Sequence, residues 1–324
     1  MKYLRDKIMF FLIALLSALI INFILPRMMP GDPAERILMK MGGEIQPEAV
    51  DAMKIALGVD KETPLLQQFF SYLKNTLTFN FGISYSYYPV PVKDLILNSL
   101  PWTIGLVGIS TLISFVLGTS LGIRAGWNRN KPIDSFITIC SLIIRGFPYF
   151  WLALILLYIF GFLLNLFPLS NAYSTHEFLK GWKFFGSVLY HGFLPGLTLV
   201  LASLGTWILT MRNNMVSTLS EDFILVAEAK GLKDKDIMNK YAARNALLPS
   251  VTSFGLSLGY IVGGALLTEI VFSYPGIGYL MYKGVTSQDY PLMQAIFFII
   301  SLSVLIANFM LDFVYMFLDP RTRG

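Results

Sequence analysis

The chain is 324 residues long, 55% hydrophobic and only 14% charged, with a mean hydropathy of +0.62 and a net charge of +5. A soluble globular domain carries about a quarter of its residues as charged side chains, so this composition excludes that class and places the chain in a bilayer. Lysine and arginine in loops on one side of the membrane account for the basic excess, which therefore argues for no nucleic-acid partner.

A hydrocarbon core about 30 Å thick takes roughly 20 helical residues to cross. Six stretches reach that length: 8–25, 101–123, 134–165, 192–211, 250–272 and 292–316. Only helices are expected there, because an isolated strand leaves its backbone groups unpaired in lipid. The predicted fold class is an all-α integral membrane protein with six transmembrane helices. The first run is too long for a signal peptide and has no small-x-small cleavage site before Pro26, so it is expected to be retained.

Pro26 to Ser99 forms one large excursion out of the bilayer. It opens on "PRMMPGDPAERI", whose prolines and glycine forbid continued helix. Pro47 starts a helix that Gly58 ends, and Pro64 starts another in which Leu65, Leu66, Phe69, Phe70, Leu73 and Leu77 share a broad apolar face. That face either rests on the membrane surface or the other spans, or docks an extracytoplasmic partner. "SYSYYPVPV" (Ser84 to Val92) then returns the chain to the bilayer, with tyrosines suited to the headgroup zone.

The third run is long and is broken by Gly146 and Pro148, as in a re-entrant pair or one kinked span. Charge decides for one span. Lys2, Arg5 and Lys7, then Arg124, Arg129 and Lys131, then the lysines after Gly231, then Arg321 and Arg323 all fall on one side only if the run crosses once. By the positive-inside rule that side is the cytoplasm, so both termini are expected there. The single cysteine, Cys140, lies in this run, and no intrachain disulfide is available.

Between the fourth and fifth runs comes "LVAEAKGLKDKDIMNKYAARNALLPS", Leu225 to Ser250, rich in charge amid apolar sequence. Ser220, Glu221 and Asp222 form a helix start, with the hydroxyl free to cap and the carboxylates at the positive end of the dipole. Phe223, Val226, Ala227 and Lys230 share a face, and Gly231 supplies a stop. A second helix from Lys233 carries Ile237, Tyr241, Ala242 and Leu248 on one side, and Pro249 marks where the next span begins. The expected result is a helix–turn–helix on the cytoplasmic face, with Ala227 and Ala229 small enough to admit another surface.

"AEAKGL" (Ala227 to Leu232) followed by "ARNALLP" (Ala243 to Pro249) resembles the EAA loop of integral permease subunits of ATP-binding-cassette importers. "PGDPA" (Pro30 to Ala34), "LPWTIGL" (Leu100 to Leu106), "EIVFSYPGIG" (Glu269 to Gly278) and "LDPRTR" (Leu318 to Arg323) match, in order, the B-type subunit of the dipeptide/oligopeptide (peptide/nickel) branch. Two features depart from pattern. Leu225 and Arg244 stand where the general importer motif has an acid and a proline, and "NFGISYSYY" (Asn80 to Tyr88) replaces an acidic "GDxGxS".

The resemblance implies a type I importer permease fold in a prokaryotic cell membrane. Residues 1–25 would be an N-terminal tail and first transmembrane helix, and 26–99 an extracytoplasmic segment. Residues 100–324 would form a five-helix core with a cytoplasmic coupling loop at 212–249. It implies ATPase coupling through Ala227, Glu228, Ala229, Gly231, Leu232, Arg244, Asn245 and Pro249, and an outer gate at Glu269, Tyr274, Pro275 and Gly276. The implied partners are a second, distinct permease subunit, two ATPase subunits that hold ATP and Mg, and an extracytoplasmic solute-binding protein. The solute would be an oligopeptide or oligosaccharide. The chain has no G-x-x-x-x-G-K-[ST] loop and is expected to bind no cofactor and catalyse no reaction itself.

Arg145 lies well inside the third run, where a charge faces a cavity or a partner. It either lines the translocation path, pairs with Glu269, forms another structural ion pair, or reaches water at a kink. Asp312 is expected to bond to neighbouring helices or to the "DPR" tail. His176 and His191 have no ligand companions, so no metal site is expected. Gly255, Gly259, Gly263 and Gly264 form a close-packing face, against a second subunit or within the chain. A gradient-driven secondary carrier is the competing class, but no internal repeat is evident. A membrane enzyme has no supporting motif.

Overall fold

The computed structural model describes residues 2–29, 64–175 and 178–318. The expected features at Pro30–Ala34, Pro47, Gly58, His176 and Asp319–Arg323 lie outside these residues, as does the side chain of Asp312. The described residues are helical throughout apart from connections and one isolated bridge between Ile83 and Pro91.

In chain order the helices are α1 (Lys2–Arg27), α2 (Leu65–Leu77), α3 (Val92–Trp127), α4 (Pro132–Gly146), α5 (Tyr149–Leu156), α6 (Trp182–Thr218), α7 (Asp222–Ala229), α8 (Arg244–Gly259), α9 (Leu266–Val271), α10 (Ile277–Thr286) and α11 (Tyr290–Leu318). A π-helical segment, Leu157–Leu163, prolongs α5, and another, Ile237–Ala243, leads into α8. Five helical stretches are long and apolar enough to cross a membrane, and a bent pair, α4 with α5, makes a sixth if it crosses once.

The seam between α3 and α6 decides that question. Small residues recur every fourth position on α3, at Ser110, Ser114, Gly118, Gly122 and Gly126, and all are buried. A Cβ added at Gly118, Gly122 or Gly126 would stand 2.4, 2.6 or 2.4 Å from the Cβ of Trp207, Met211 or Met215. One turn higher, the Ser203 hydroxyl donates to Ser114 Oγ at 2.7 Å. Each four-residue step along α3 is thus matched by a four-residue step in the same direction along α6, so the two helices are parallel. Small residues let their backbones approach, which is how helices associate where lipid removes the hydrophobic driving force.

Two parallel neighbours require the chain between them to return across the membrane. It leaves α3 at Trp127 beside Met215 and enters α6 beside Trp102, whose ring lies 6.5 Å from that of Phe184. The α4–α5 pair therefore crosses once, as a span bent by 92° at Phe147–Pro148. Proline removes a donor and excludes helical geometry at the residue before it, which accounts for the break.

The other spans alternate. Asn214 Nδ2 donates to Ala246 O (3.2 Å) and Ser250 Oγ (3.3 Å) while Trp207 packs on Phe254 (6.4 Å), so α8 runs antiparallel to α6. Gly259 abuts Ala307 and Gly263 faces Ile300, so α11 is antiparallel to α8. Asn22 Nδ2 donates to Gln294 O at 2.7 Å and Phe11 packs on Phe309, so α1 is antiparallel to α11. The start of α1, the end of α3, the start of α4, α7 and the end of α11 consequently share one face. Packing within the chain thus occupies Gly259 and Gly263 of the glycine face.

The structure departs from the expected elements in several places: α3 begins at Val92 rather than 101, and α6 at Trp182 rather than 192. The fifth run does not extend as one span to 272: a helix continuous from Asp234 ends near Gly263, Gly264 turns at φ +71°, and α9 is a separate short helix. Pro249 lies inside α8 rather than at the start of a span. The apolar face of α2 divides: Phe69 packs edge-on to Phe23 of α1 at 5.1 Å, while Leu65, Leu66, Phe70 and Leu77 remain exposed.

Gly122→Leu should disrupt the seam by overpacking, destabilising the protein by about 1–3 kcal/mol. Gly105→Leu, where an added Cβ meets nothing within 4 Å, should be close to neutral. Thermal unfolding of the purified chain in detergent measures both.

Candidate functional site

α7 hangs from the shared face by a small apolar core. Ile224 and Ala227 turn inward onto Met211, Met215, Ile237, Ala242, Ala243 and Ala246. The expected shared face of Phe223, Val226, Ala227 and Lys230 is therefore split: Ala227 is 2% exposed, whereas Phe223, Val226 and Lys230 face outward. Ala227 serves internal packing and does not receive an outside surface, a role open only to Ala229. Likewise Ile237 and Ala242 are buried while Tyr241 and Leu248 are exposed, because the π segment shifts the helical phase between them.

The helix ends are explicit. Ser220 does not cap α7; its hydroxyl donates back to Ser217 O at 2.7 Å. At the other end Gly231 has φ +70°, its N–H donates to Glu228 O (2.8 Å), and the Leu232 N–H donates to Ala227 O (3.4 Å). This pair of bonds is a Schellman motif, with Gly231 at the left-handed position and Leu232 packed on the core beneath. The glycine of "AEAKGL" is thereby explained locally.

What α7 presents outward is apolar. Leu225 is 63% and Val226 52% exposed, flanked by Phe223, Glu228 and Ala229. Arg244, Asn245 and Pro249 are exposed alongside, with Asn245 Nδ2 donating to Tyr241 O at 2.7 Å. The exposed Lys240–Asp236 pair at 2.8 Å adds little. Two ties hold this surface to the spans: the Asn214 bonds to α8, and a bidentate pair from Arg212 to Asp134 (2.5 and 2.7 Å). The carboxylate of Asp134 also accepts from Asn130 N–H and Thr138 Oγ1, both at 3.2 Å. Sequence reading took Asp134 only as the start of a span.

On the opposite half, Glu269 is fully buried. Its Oε1 accepts from the Thr103 hydroxyl (2.9 Å) and its Oε2 from Tyr279 N–H (3.0 Å), while Thr103 Oγ1 accepts from Ile277 N–H (2.7 Å). The carboxylate thus sits at the positive end of α10 and joins it to α3 and α9. Gly276 is required by this closeness, because a Cβ there would come 2.4 Å from Glu269 Oε2 and 2.5 Å from Thr103 Oγ1. Burial raises the Glu269 carboxyl above the ordinary carboxylate range, opposed by the bonds from Tyr279 and Thr103. Burial, with Glu269 nearby, pushes the Tyr274 phenol up to about 12.

Arg145 is not a partner of Glu269. It lies at the end of α4, exposed, and makes no ion pair or side-chain hydrogen bond with any described residue. A second buried carboxylate was missed in the sequence: Asp289 accepts from the Ser84 hydroxyl, from Ser86 N–H (2.8 Å) and from Leu292 N–H (3.2 Å), pinning the return loop to the start of α11. Tyr85 in that loop is buried rather than placed for headgroups, with its phenol raised by burial. His191 hydrogen-bonds Ser187 O at 2.8 Å beside a cavity of about 710 Å³, and no metal-binding cluster occurs among the described residues.

Residues 118–324 match the family model described as the binding-protein-dependent transport system inner membrane component, and residues 1–107 match the N-terminal model of such membrane components. The chain is 30% identical to the dipeptide transport system permease protein of Lactococcus lactis, over 99% of each chain. It is 30% identical to the oligopeptide transport system permease protein of Bacillus subtilis, over 95% of this chain and 94% of that one. It is also 30% identical to the glutathione transport system permease protein of Escherichia coli K12, over 100% of this chain and 99% of that one.

Glu269→Gln leaves one acceptor where two are used, and Thr103→Val strands the Ile277 N–H. Each should destabilise by about 1–3 kcal/mol, read as a fall in Tm in detergent.

Proposed function

The chain belongs to the family of binding-protein-dependent transport system inner membrane components, and from that premise we propose that α7 is its docking point for an ATPase subunit and that peptides are its solutes. It is a multi-pass permease subunit of an ATP-binding-cassette importer in the cell membrane, and it is not itself an ATPase. The gradient-driven carrier is accordingly set aside. Subunits of this family work with ATPase and solute-binding-protein partners and carry no cofactor of their own.

The observation that carries the docking proposal is the outward face of α7. Leu225 and Val226 are exposed on a short helix at the end of the bundle, where side chains meet water rather than lipid. Apolar side chains held outward on a rigid, well-capped helix suit insertion into a protein groove. Glu228, Ala229, Arg244 and Asn245 rim the surface; Ala227, Gly231 and Leu232 shape it from behind. Two ATPase subunits that hold ATP and Mg, with a second permease subunit of a distinct type, would complete the assembly. Closure of the ATPases around nucleotide would then be transmitted through α7 into α6 and α8.

The face carrying α7 is assigned to the cytoplasm because the lysines and arginines cluster on it, and the start of α1 and the end of α11, which lie on the same face, would be cytoplasmic with it. The division into 1–25, 26–99 and 100–324, with the coupling loop at 212–249, follows this orientation. Glu269, Tyr274, Pro275 and Gly276 would form the stiff frame of an outer gate. Peptides are the solutes favoured, since the relatives named above handle dipeptides, oligopeptides and glutathione. None of those three is named for an oligosaccharide.

Purification of the tagged chain from its own membranes in mild detergent should retain ATPase subunits. Leu225→Asp and Val226→Asp, both at exposed positions, should lower that recovery at least about tenfold while leaving Tm within the range of a surface change. Undiminished recovery of the ATPases with both variants would remove α7 as the docking point.

A further inference from the structure

Arg145 is set apart by its depth. It lies 11 residues beyond Asp134, whose pairing with Arg212 marks the charged inner end of the bundle, or about 16 Å along α4. Its backbone packs against Gly205 of α6, where an added Cβ would stand 3.4 Å from Arg145 Cβ and 2.6 Å from Ser141 O. Along α6, which it abuts at Gly205, seven residues or about 10 Å separate it from the level of Arg212, so within a hydrocarbon core about 30 Å thick this side chain lies well inside.

The same place holds the break in the span. Gly146, Phe147 and Pro148 are exposed, and the span bends by 92° there. Non-helical backbone at membrane depth persists only where protein covers it or where it lines a water-filled cavity. A cation with no counter-charge among the described residues, beside non-helical backbone and inside the membrane, excludes lipid as the neighbour.

We propose that Arg145 lines the translocation path and binds the carboxylate of the passing solute. This rests on the peptide-importer reading above. A peptide free acid carries an anion through the low-dielectric part of the membrane, and a fixed guanidinium offers it two parallel N–H donors in fork geometry. Conserving the charge without the fork should serve less well, which makes lysine the informative replacement.

The test uses the complete importer, with its partner subunits and solute-binding protein, in proteoliposomes. A mixed-peptide digest is offered as free acids and, separately, with its carboxyl groups amidated, and accumulated peptides are counted by mass spectrometry. The acid-to-amide uptake ratio of each variant is divided by that of the unaltered importer with the same binding protein, so the binding protein's own preference cancels. Arg145→Gln should lower this ratio roughly tenfold, by loss of acid uptake with amide uptake kept, and Arg145→Lys should fall between. An unchanged ratio in Arg145→Gln, or equal loss of both forms, would overturn the role of Arg145 alone. Failure of Arg145→Gln to assemble, with Arg145→Lys assembling at an unchanged ratio, would also overturn it and assign the guanidinium to a neighbouring subunit's carboxylate. Uptake of neither form by the unaltered importer would overturn the peptide reading itself.

Discussion

Close contact between α3 and α6 is the constraint on which the rest of the molecule depends. Glycines at 118, 122 and 126 bring the two backbones together so tightly that a single methyl group would collide with the opposing helix. Because the steps match in one direction, the pair is parallel, and a parallel pair forces the intervening chain to cross back. The bent α4–α5 span, the placement of α7 and the common face of the start of α1 and the end of α11 are consequences of that register. Sequence charge groups the same ends of the spans on one side, through the positive-inside rule.

Around this seam, polar side chains secure elements whose own helices are too short to span. Glu269 and Asp289 are wholly buried, and each gathers donors from two or more separate segments. In a low-dielectric setting such bonds are strong when satisfied and expensive when broken. They stiffen the half of the molecule opposite α7. On the α7 side, Asn214 and the Arg212–Asp134 pair do the same for the base of α7. A push on α7 would therefore be carried by α6 and α8 rather than absorbed at their junction.

Much of this was legible in sequence. The apolar runs located the spans, although α3 and α6 begin nine and ten residues earlier than expected, and "AEAKGL" located α7 and its glycine stop. Reading went astray where phase or closure depends on tertiary contacts. The π segment after Asp236 moved Tyr241 and Leu248 off the buried side, and no periodic pattern announces an inserted residue. Gly264 ended the fifth span early, although three earlier glycines in that run are helical or nearly so. The α3 stripe of small residues is readable at every fourth position from Ser110 to Gly126, but a small-residue stripe does not name the helix it packs against. Pairings such as Thr103 with Glu269, or Ser84 with Asp289, join positions more than a hundred residues apart, and a single sequence holds no local signal for them.

Orientation is the claim from which the functional account proceeds, and cysteine labelling measures it directly. In a Cys140→Ser background, single cysteines replace Leu225 on α7 and Asn171 in the connection before α6, both exposed and on opposite faces. A membrane-impermeant maleimide should label Asn171→Cys on intact spheroplasts and Leu225→Cys only after lysis. Labelling of Leu225→Cys on intact spheroplasts would place α7 outside the cell and contradict the coupling role, and labelling of both cysteines there would contradict the parallel-seam topology as well.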